Sequence, residues 1–219
     1  MMELPLFPLN TVLFPGTPIT LHIFEPRYLE LMEMCEQTQQ PFGVVLIQEG
    51  QEALGPLATP YPIGCTAEIA RVERLPDGRM NILAVGVERF EIHELDYDRE
   101  SYLVGQVELL PLVNPDPARI DRAGQRLRPW VERYLAVLGQ VAEDASFDPT
   151  RLPNDPLALG YLAAALVQIP TDQKQTLLAA NEPVDLLANI RTIFRREVAL
   201  LNAIIARDSI ETQGLFSLN

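Results

Sequence analysis

The first 32 residues are strongly apolar, yet prolines stand at positions 5, 8, 15 and 18. A proline has no backbone N–H and a fixed φ, so neither a core helix nor a central strand is expected to contain it. The stretch is therefore predicted to form short extended pieces joined by corners, with a sharp turn at Pro15-Gly16. From 17 to 24, Ile19, Leu21 and Ile23 alternate with Thr20, His22 and Phe24, which predicts a strand with one face on a core. Pro26 then stands where a short helix is predicted to begin, so the predicted order is strand, corner, strand and short helix.

Four further stretches before residue 114 predict strands. Residues 41–48 are a nearly continuous apolar run with β-branched side chains, typical of a buried strand. Residues 64–75 and 79–95 flank the turn sequence Pro76-Asp77-Gly78 and predict a hairpin. The apolar alternation changes phase near 86–89, which predicts a bulge or bend. With residues 102–113, the total is about six strands and one short helix, enough for a small closed or partly open β-barrel.

The remainder of the chain has helical periodicity. The sequence Asn114-Pro115-Asp116-Pro117 marks a boundary, because Asp116 is suited to cap a helix and Pro117 to open it. Helices are predicted from Pro117, from Pro156, over 171–180 and from Pro183, and together they form a small bundle. The predicted fold class is α+β. The predicted organisation is a barrel subdomain over 1–113, a helical bundle subdomain over 114–211 and a flexible tail over 212–219.

Many residues at fixed offsets near the N-terminus match one family signature. They are Leu4-Pro5-Leu6-Phe7-Pro8-Leu9, Val12, Phe14-Pro15-Gly16, Leu21, Ile23-Phe24-Glu25 and Arg27-Tyr28. On these residues the chain resembles the Lon substrate-binding domain. Further matches are Gly64, Ala67, Asp77-Gly78-Arg79, Gly86, Arg89-Phe90, Ile92, Leu157-Ala158, Ile169-Pro170, Lys174-Gln175 and Leu177-Leu178. An arginine-leucine pair often found early in the family's last helix is replaced by Asp185-Leu186.

The resemblance has structural and functional implications. It implies that the barrel is bent and PUA-like. It also implies recognition of unfolded or exposed segments of other proteins, often as an adaptor or selectivity element for proteolysis, with a protease as a further candidate partner.

Composition narrows the classes of partner. The 219 residues carry 17 basic and 30 acidic side chains, a net charge of −13. Nucleic-acid binding is not expected, because it requires a basic surface. The sequence has no run of 18 apolar residues and no secretory leader pattern, so we expect no membrane span. Its two cysteines form no disulfide framework, and a cytoplasmic location with reduced thiols is predicted.

The sequence contains no recognisable motif for catalysis, cofactor binding or metal binding. The P-loop sequence is missing, and Lys174 is the only lysine, with no serine near it in sequence to form a dyad. His22, His93, Cys35 and Cys65 lack the close spacing of structural zinc ligands. No catalytic, cofactor-binding or metal-binding residue is therefore predicted. Arg27 is predicted to pair with an acidic partner, and Glu25 to support the first turn of the helix after it.

Five apolar side chains are candidate contacts for another protein. Leu54, Leu57 and Tyr61 lie in a long loop between 50 and 64, for which two interpretations stay open. The loop either folds against its own barrel or presents a contact surface. Phe24 and Tyr28 complete the candidates. The leading hypothesis is a non-enzymatic protein-binding module in protein quality control, and the alternative is small-ligand sensing in a cleft between barrel and bundle.

Overall fold

A computed structural model of the chain describes residues 1–52, 55–112, 116–141 and 152–216, without the side chains of 140, 141 and 208–216. Within these residues there are seven strands and five helices, which confirms the α+β class. The strands are β1 (Met2–Leu9), β2 (Pro18–Ile23), β3 (Phe42–Glu49), β4 (Thr59–Pro60), β5 (Ile63–Arg74), β6 (Met80–Asp96) and β7 (Leu103–Leu109). The helices are α1 (Pro26–Thr38), α2 (Pro117–Val141), α3 (Pro156–Leu166), α4 (Thr171–Leu178) and α5 (Pro183–Phe216).

The chain forms two compact units. Unit 1 comprises 1–113 and 164–180, and unit 2 comprises 114–163 and 181–219. The short helix α4, which the sequence assigned to the bundle, therefore belongs with the strands. The predicted tail begins inside α5, whose last helical residue is Phe216. The predicted subdomain boundary between 113 and 114 lies outside the described residues and stays a prediction.

The proline-rich opening forms the strand, corner, strand and short helix that the sequence predicts, and its first strand, β1, contains Pro5 and Pro8 without a break. Residues Met2 to Leu6 of β1 pair antiparallel with β7, and Leu6 to Leu9 pair in parallel with β3. Along most of its length β1 thus has a single neighbouring strand. A strand with one neighbour directs alternate N–H groups away from its ladder, and a proline at such a position removes no ladder bond. From β7 the sheet continues through β6 and β5 to β3, with β2 paired to β6 and β4 to β3, all antiparallel.

Both faces of β1 are buried, which explains its nearly continuous apolar sequence. Leu4 and Leu6 belong to a small cluster with Phe90 of β6, whereas Phe7 and Leu9 belong to a larger cluster that includes side chains of α1. A half-buried strand would alternate apolar and polar residues, whereas a strand covered on both sides has no polar face.

The predicted irregularity in the long hairpin is confirmed. Strands β5 and β6 pair around the turn at 76–78, where Gly78 has a φ of 84°. The register shifts between the pairs Cys65↔Arg89 and Ala67↔Gly86, so β6 carries the extra residue. The Thr66 hydroxyl binds both backbone groups of Glu88, donating to its carbonyl and accepting from its N–H, each at 3.1 Å.

The predicted corner at Pro15-Gly16 is held against the same part of β6. Gly16 adopts a φ of 74°, and its N–H donates to the carbonyl of Gly86 at 2.8 Å. The N–H of Gly86 in turn donates to Thr17 O at 3.0 Å. A Cβ at Gly86 would collide with the backbone oxygen of Phe14, so a side chain there would open the corner.

In unit 2 the contacts join the two long helices, α2 and α5. The rings of Tyr134 on α2 and Phe194 on α5 meet edge to face with centroids 4.9 Å apart. Leu127, Val131 and Ile190 are fully buried, as their helical spacing predicts.

Candidate protein-binding groove

A surface cavity of about 390 Å³ in unit 1 follows strand β2, and we call it the β2 groove. Its floor is apolar and consists of Phe7, Leu9, Leu21, Ile23 and Tyr28. Its remaining lining is Thr20, His22, Phe24, Glu25 and Glu52. Five consecutive residues, from Thr20 to Phe24, line it, so the groove runs along the strand. The two sides of β2 contribute differently, because Leu21 and Ile23 are buried whereas Thr20 and His22 are exposed.

Phe24 is the most exposed apolar group of the groove, with 46% of its surface accessible. Its ring lies beside the imidazole of His22, with centroids 6.1 Å apart. Tyr28, in contrast, is only 5% exposed and meets the Phe7 ring edge to face at 4.4 Å. Burial raises the pKa of the Tyr28 phenol. Phe24 is therefore free to contact a partner directly, whereas Tyr28 forms part of the floor.

Arg27, at the second position of α1, organises the side chains beneath the groove. Its guanidinium pairs with the Glu25 carboxylate at 2.9 Å, and both side chains are largely buried. It also lies over the Tyr28 ring at 4.7 Å and donates to Gly55 O at 3.2 Å. The predicted acidic partner of Arg27 is thus confirmed as Glu25. Through Gly55, the same side chain holds part of the long loop next to α1.

Glu52 places a second carboxylate in the lining. Its Oε2 accepts a hydrogen bond from the N–H of Asn10 at 3.1 Å, which joins the long loop to the end of β1. Unlike Glu25, it has no ion-pair partner among the contacts of the described residues. The lining contains two carboxylates and neither lysine nor arginine.

His22 joins β2 to the tip of the hairpin. Arg79 Nη1 donates to its Nε2 at 3.2 Å, so the proton lies on Nδ1, which donates to Asn81 Oδ1 at 2.8 Å. The side-chain amide of Asn81 in turn donates a hydrogen bond to the Glu73 carboxylate at 3.1 Å. Both ring nitrogens of His22 are therefore engaged, and its role is to fix β2 against β6.

The four predicted contact residues that the structure describes do not all line the β2 groove. Phe24 and Tyr28 both line the β2 groove. Leu57 and Tyr61 are half-buried outside its lining, and the Tyr61 N–H donates to Leu46 O at 2.8 Å. Leu54 lies outside the described residues. All five stay predictions as contacts.

Sequence reasoning did not assign Glu52 and His22 to this site. The outward positions of β2 were visible in the alternation of 17–24, and they pointed to His22. No local pattern pointed to Glu52, which reaches the groove only through the fold of the long loop.

The two cysteines and the lysine of unit 1 are wholly or partly buried. Burial raises the pKa of Cys35 to about 11 and that of Cys65 to about 12, so both are thiols at neutral pH. Lys174 donates to Ala165 O at 2.8 Å. Over the residues that the structure describes, no three His, Cys, Asp or Glu side chains are placed to hold a metal ion. None of the described helices is long and apolar enough to cross a membrane.

Comparison with known proteins decides the family. A model described as the ATP-dependent protease La (LON) substrate-binding domain matches residues 3–196. The chain belongs to the LON substrate-binding domain family. The Lon protease of Parabacteroides distasonis is 29% identical over 202 residues, which cover 90% of this chain and 24% of that protein. The Lon protease of Desulfovibrio desulfuricans is 26% identical over 215 residues, covering 97% and 24%. This LON-family chain thus spans about a quarter of the length of these relatives.

One solved structure supports the same family, and a second shows the same fold. A Lon N-terminal domain protein from Xanthomonas campestris superposes with a TM-score of 0.62 at 27% identity, covering 87% of this chain and 97% of that one. The N-terminal domain of Lon protease from Mycobacterium avium complex gives a TM-score of 0.66 at 16% identity, covering 90% and 98%. The second likeness concerns the fold alone.

Proposed function

We propose that this LON-family chain is a non-enzymatic module that binds exposed apolar segments of other proteins through the β2 groove. Membership of a substrate-binding family supports the class of partner. The observation that carries the proposal is the exposed Phe24 ring beside a continuous apolar floor. Large apolar groups left open next to a cavity favour association, because covering them removes apolar surface from water.

The strand pairings return from β3 to β1, which supports a closed, PUA-like barrel. We propose that the module serves as an adaptor or client-recognition element in protein quality control, with a protease as a candidate partner and nucleic acid excluded by charge. Two buried free thiols agree with a reducing cytoplasm. Their raised pKa values also agree with a role that uses no cysteine nucleophile.

A peptide array tests the function. Peptides that tile an unfolded protein should bind the purified chain in proportion to their apolar content, and scrambled polar peptides should not. Phe24→Ala should weaken binding of the best peptide by about tenfold, since fully burying such a side chain is worth about 1.5–3 kcal/mol and part of Phe24 is already covered.

A matched variant separates the groove from general surface effects. Tyr97 is also an exposed aromatic residue of unit 1, 39% accessible, and does not line the groove. Tyr97→Ala should leave peptide affinity unchanged. Equal losses in both variants would reject the groove as the site, and an array without apolar preference would reject the function.

A further inference from the structure

We propose that the β2 groove takes its partner as an extended segment that adds a strand to the open edge of β2, with a basic side chain beside Glu52. This inference rests on the proposed protein-binding function and specifies the conformation and charge of the bound segment.

The first observation is the pairing of β2. Residues Pro18 to Ile23 pair antiparallel with β6, and in the described part of the chain β2 pairs with no other strand. In an antiparallel pair, alternate residues direct their N–H and C=O groups to opposite sides. Half of these groups on β2 therefore face away from β6. An exposed edge of this kind is the template on which extended peptides add by main-chain hydrogen bonds.

The second observation is that the groove and this edge coincide. The lining includes Thr20 to Phe24 in unbroken sequence, so the cavity is aligned with the strand. A cavity of about 390 Å³ suits a few side chains and excludes a folded element. An added strand would present every second side chain to the floor formed by Phe7, Leu9 and Tyr28. Main-chain bonds would supply affinity, and alternate apolar side chains would supply selectivity.

The third observation is charge. Unit 1 contains 7 basic and 18 acidic residues and carries −11 of the chain's −13. Beneath the groove, Arg27 balances the charge of Glu25, whereas the contact at Glu52 is an uncharged backbone amide. Glu52 is therefore the carboxylate of the lining that forms no ion pair within the described part of the chain. A lysine or arginine on the bound segment complements that charge, and the potential of the unit attracts basic segments.

A designed peptide tests the binding mode. The parent is an acetylated heptapeptide with valine, leucine and valine at positions 2, 4 and 6, threonine at 3 and 5, and lysine at both ends. Each backbone nitrogen is then methylated in turn, and affinity for the full chain is measured by fluorescence anisotropy. Methylation should weaken binding about tenfold at every second position and less than threefold between, because only alternate N–H groups face β2. A uniform response along the peptide would overturn strand addition while leaving protein binding intact.

A charge exchange tests the role of Glu52. Replacing the terminal lysines by glutamates should reduce affinity about tenfold, and the difference between the two peptides should shrink in 1 M salt. Glu52→Gln keeps an acceptor for the Asn10 N–H and should reduce the preference for lysine to about twofold. Glu94→Gln, an exposed position outside the groove, is the matched control and should keep the preference. Equal effects of the two variants would overturn the assignment of Glu52.

Failure of every heptapeptide to bind, with apolar peptides still captured on the array, would overturn this inference alone. Failure of both would overturn the proposed function as well.

Discussion

Replacing Arg89 by methionine should detach α4 from the strands of unit 1. Arg89 is only 3% exposed, in a chain where most arginines lie at the surface. Its Nη1 donates to the carbonyls of Leu178 at 2.5 Å and Ala180 at 2.7 Å, at the C-terminal end of α4. Its Nη2 donates to Leu110 O, just beyond β7, at 3.0 Å. One guanidinium thus satisfies helix-terminal carbonyls and joins them to the sheet.

The expected loss in the free energy of unfolding follows from these contacts of Arg89. A hydrogen bond from a charged donor contributes about 1.5–3 kcal/mol, so three of them represent a gross loss of about 5–9 kcal/mol. Methionine also removes the cost of burying a cation, which is several kcal/mol. The free energy of unfolding of unit 1 should therefore fall by about 3 kcal/mol. Lysine keeps the charge but has no planar fork, so Arg89→Lys should be intermediate.

Hydrogen exchange is the decisive assay, because two compact units need not unfold together and exchange is read segment by segment. The amides of Thr171 to Leu178 should exchange about 100-fold faster in Arg89→Met, as 1.4 kcal/mol corresponds to a factor of ten. Arg71→Met, at an exposed position on β5, is the control and should change neither exchange nor the urea midpoint. A loss below about 1 kcal/mol, the value of a single ordinary hydrogen bond, would refute the reasoning.

Two further predictions concern the core of unit 1. Gly86→Ala should lower the free energy of unfolding by about 2 kcal/mol, because its Cβ forces the corner at Phe14 off β6; an unchanged thermal midpoint would contradict this. The free energy of unfolding should also fall as the pH rises from about 8.5 towards 11. In the unfolded chain the thiols ionise near pH 8.5. In the folded chain Cys35 and Cys65 stay protonated until about pH 11 and about pH 12, so the unfolded state is favoured in between. In Cys65→Ala the decrease in the free energy of unfolding between pH 7.5 and pH 10, measured by urea titration, should be smaller. In the same samples, a thiol reagent should label both cysteines only after urea is added.

Local patterns determined the kinds of element and their order. Glycine and proline predicted the turn at 76–78 and the corner at 15–16, because only certain backbone angles are open to them. The change of phase near Gly86 predicted the bulge in β6. Pro26, Pro117, Pro156 and Pro183 all stand where a helix begins. The fixed offsets near the N-terminus also pointed to the family. Each of these signals is contained in a few neighbouring residues. It can therefore be read without knowing which distant element packs against them.

The tertiary structure alone decided which distant pieces meet. That β1 accommodates two prolines depends on its exchange of neighbours at Leu6, from β7 to β3. The helix α4 is bonded to the strands by Arg89, which lies 89 positions before Leu178, and by Gln175, whose amide donates to Ile63 O at 2.8 Å. The β2 groove unites residues of β1, β2 and the long loop, so Glu52 became part of it without any local pattern. The periodicity of apolar residues indicates which face of a helix or strand is buried. Which residues pack against that face depends on the tertiary structure of the whole chain.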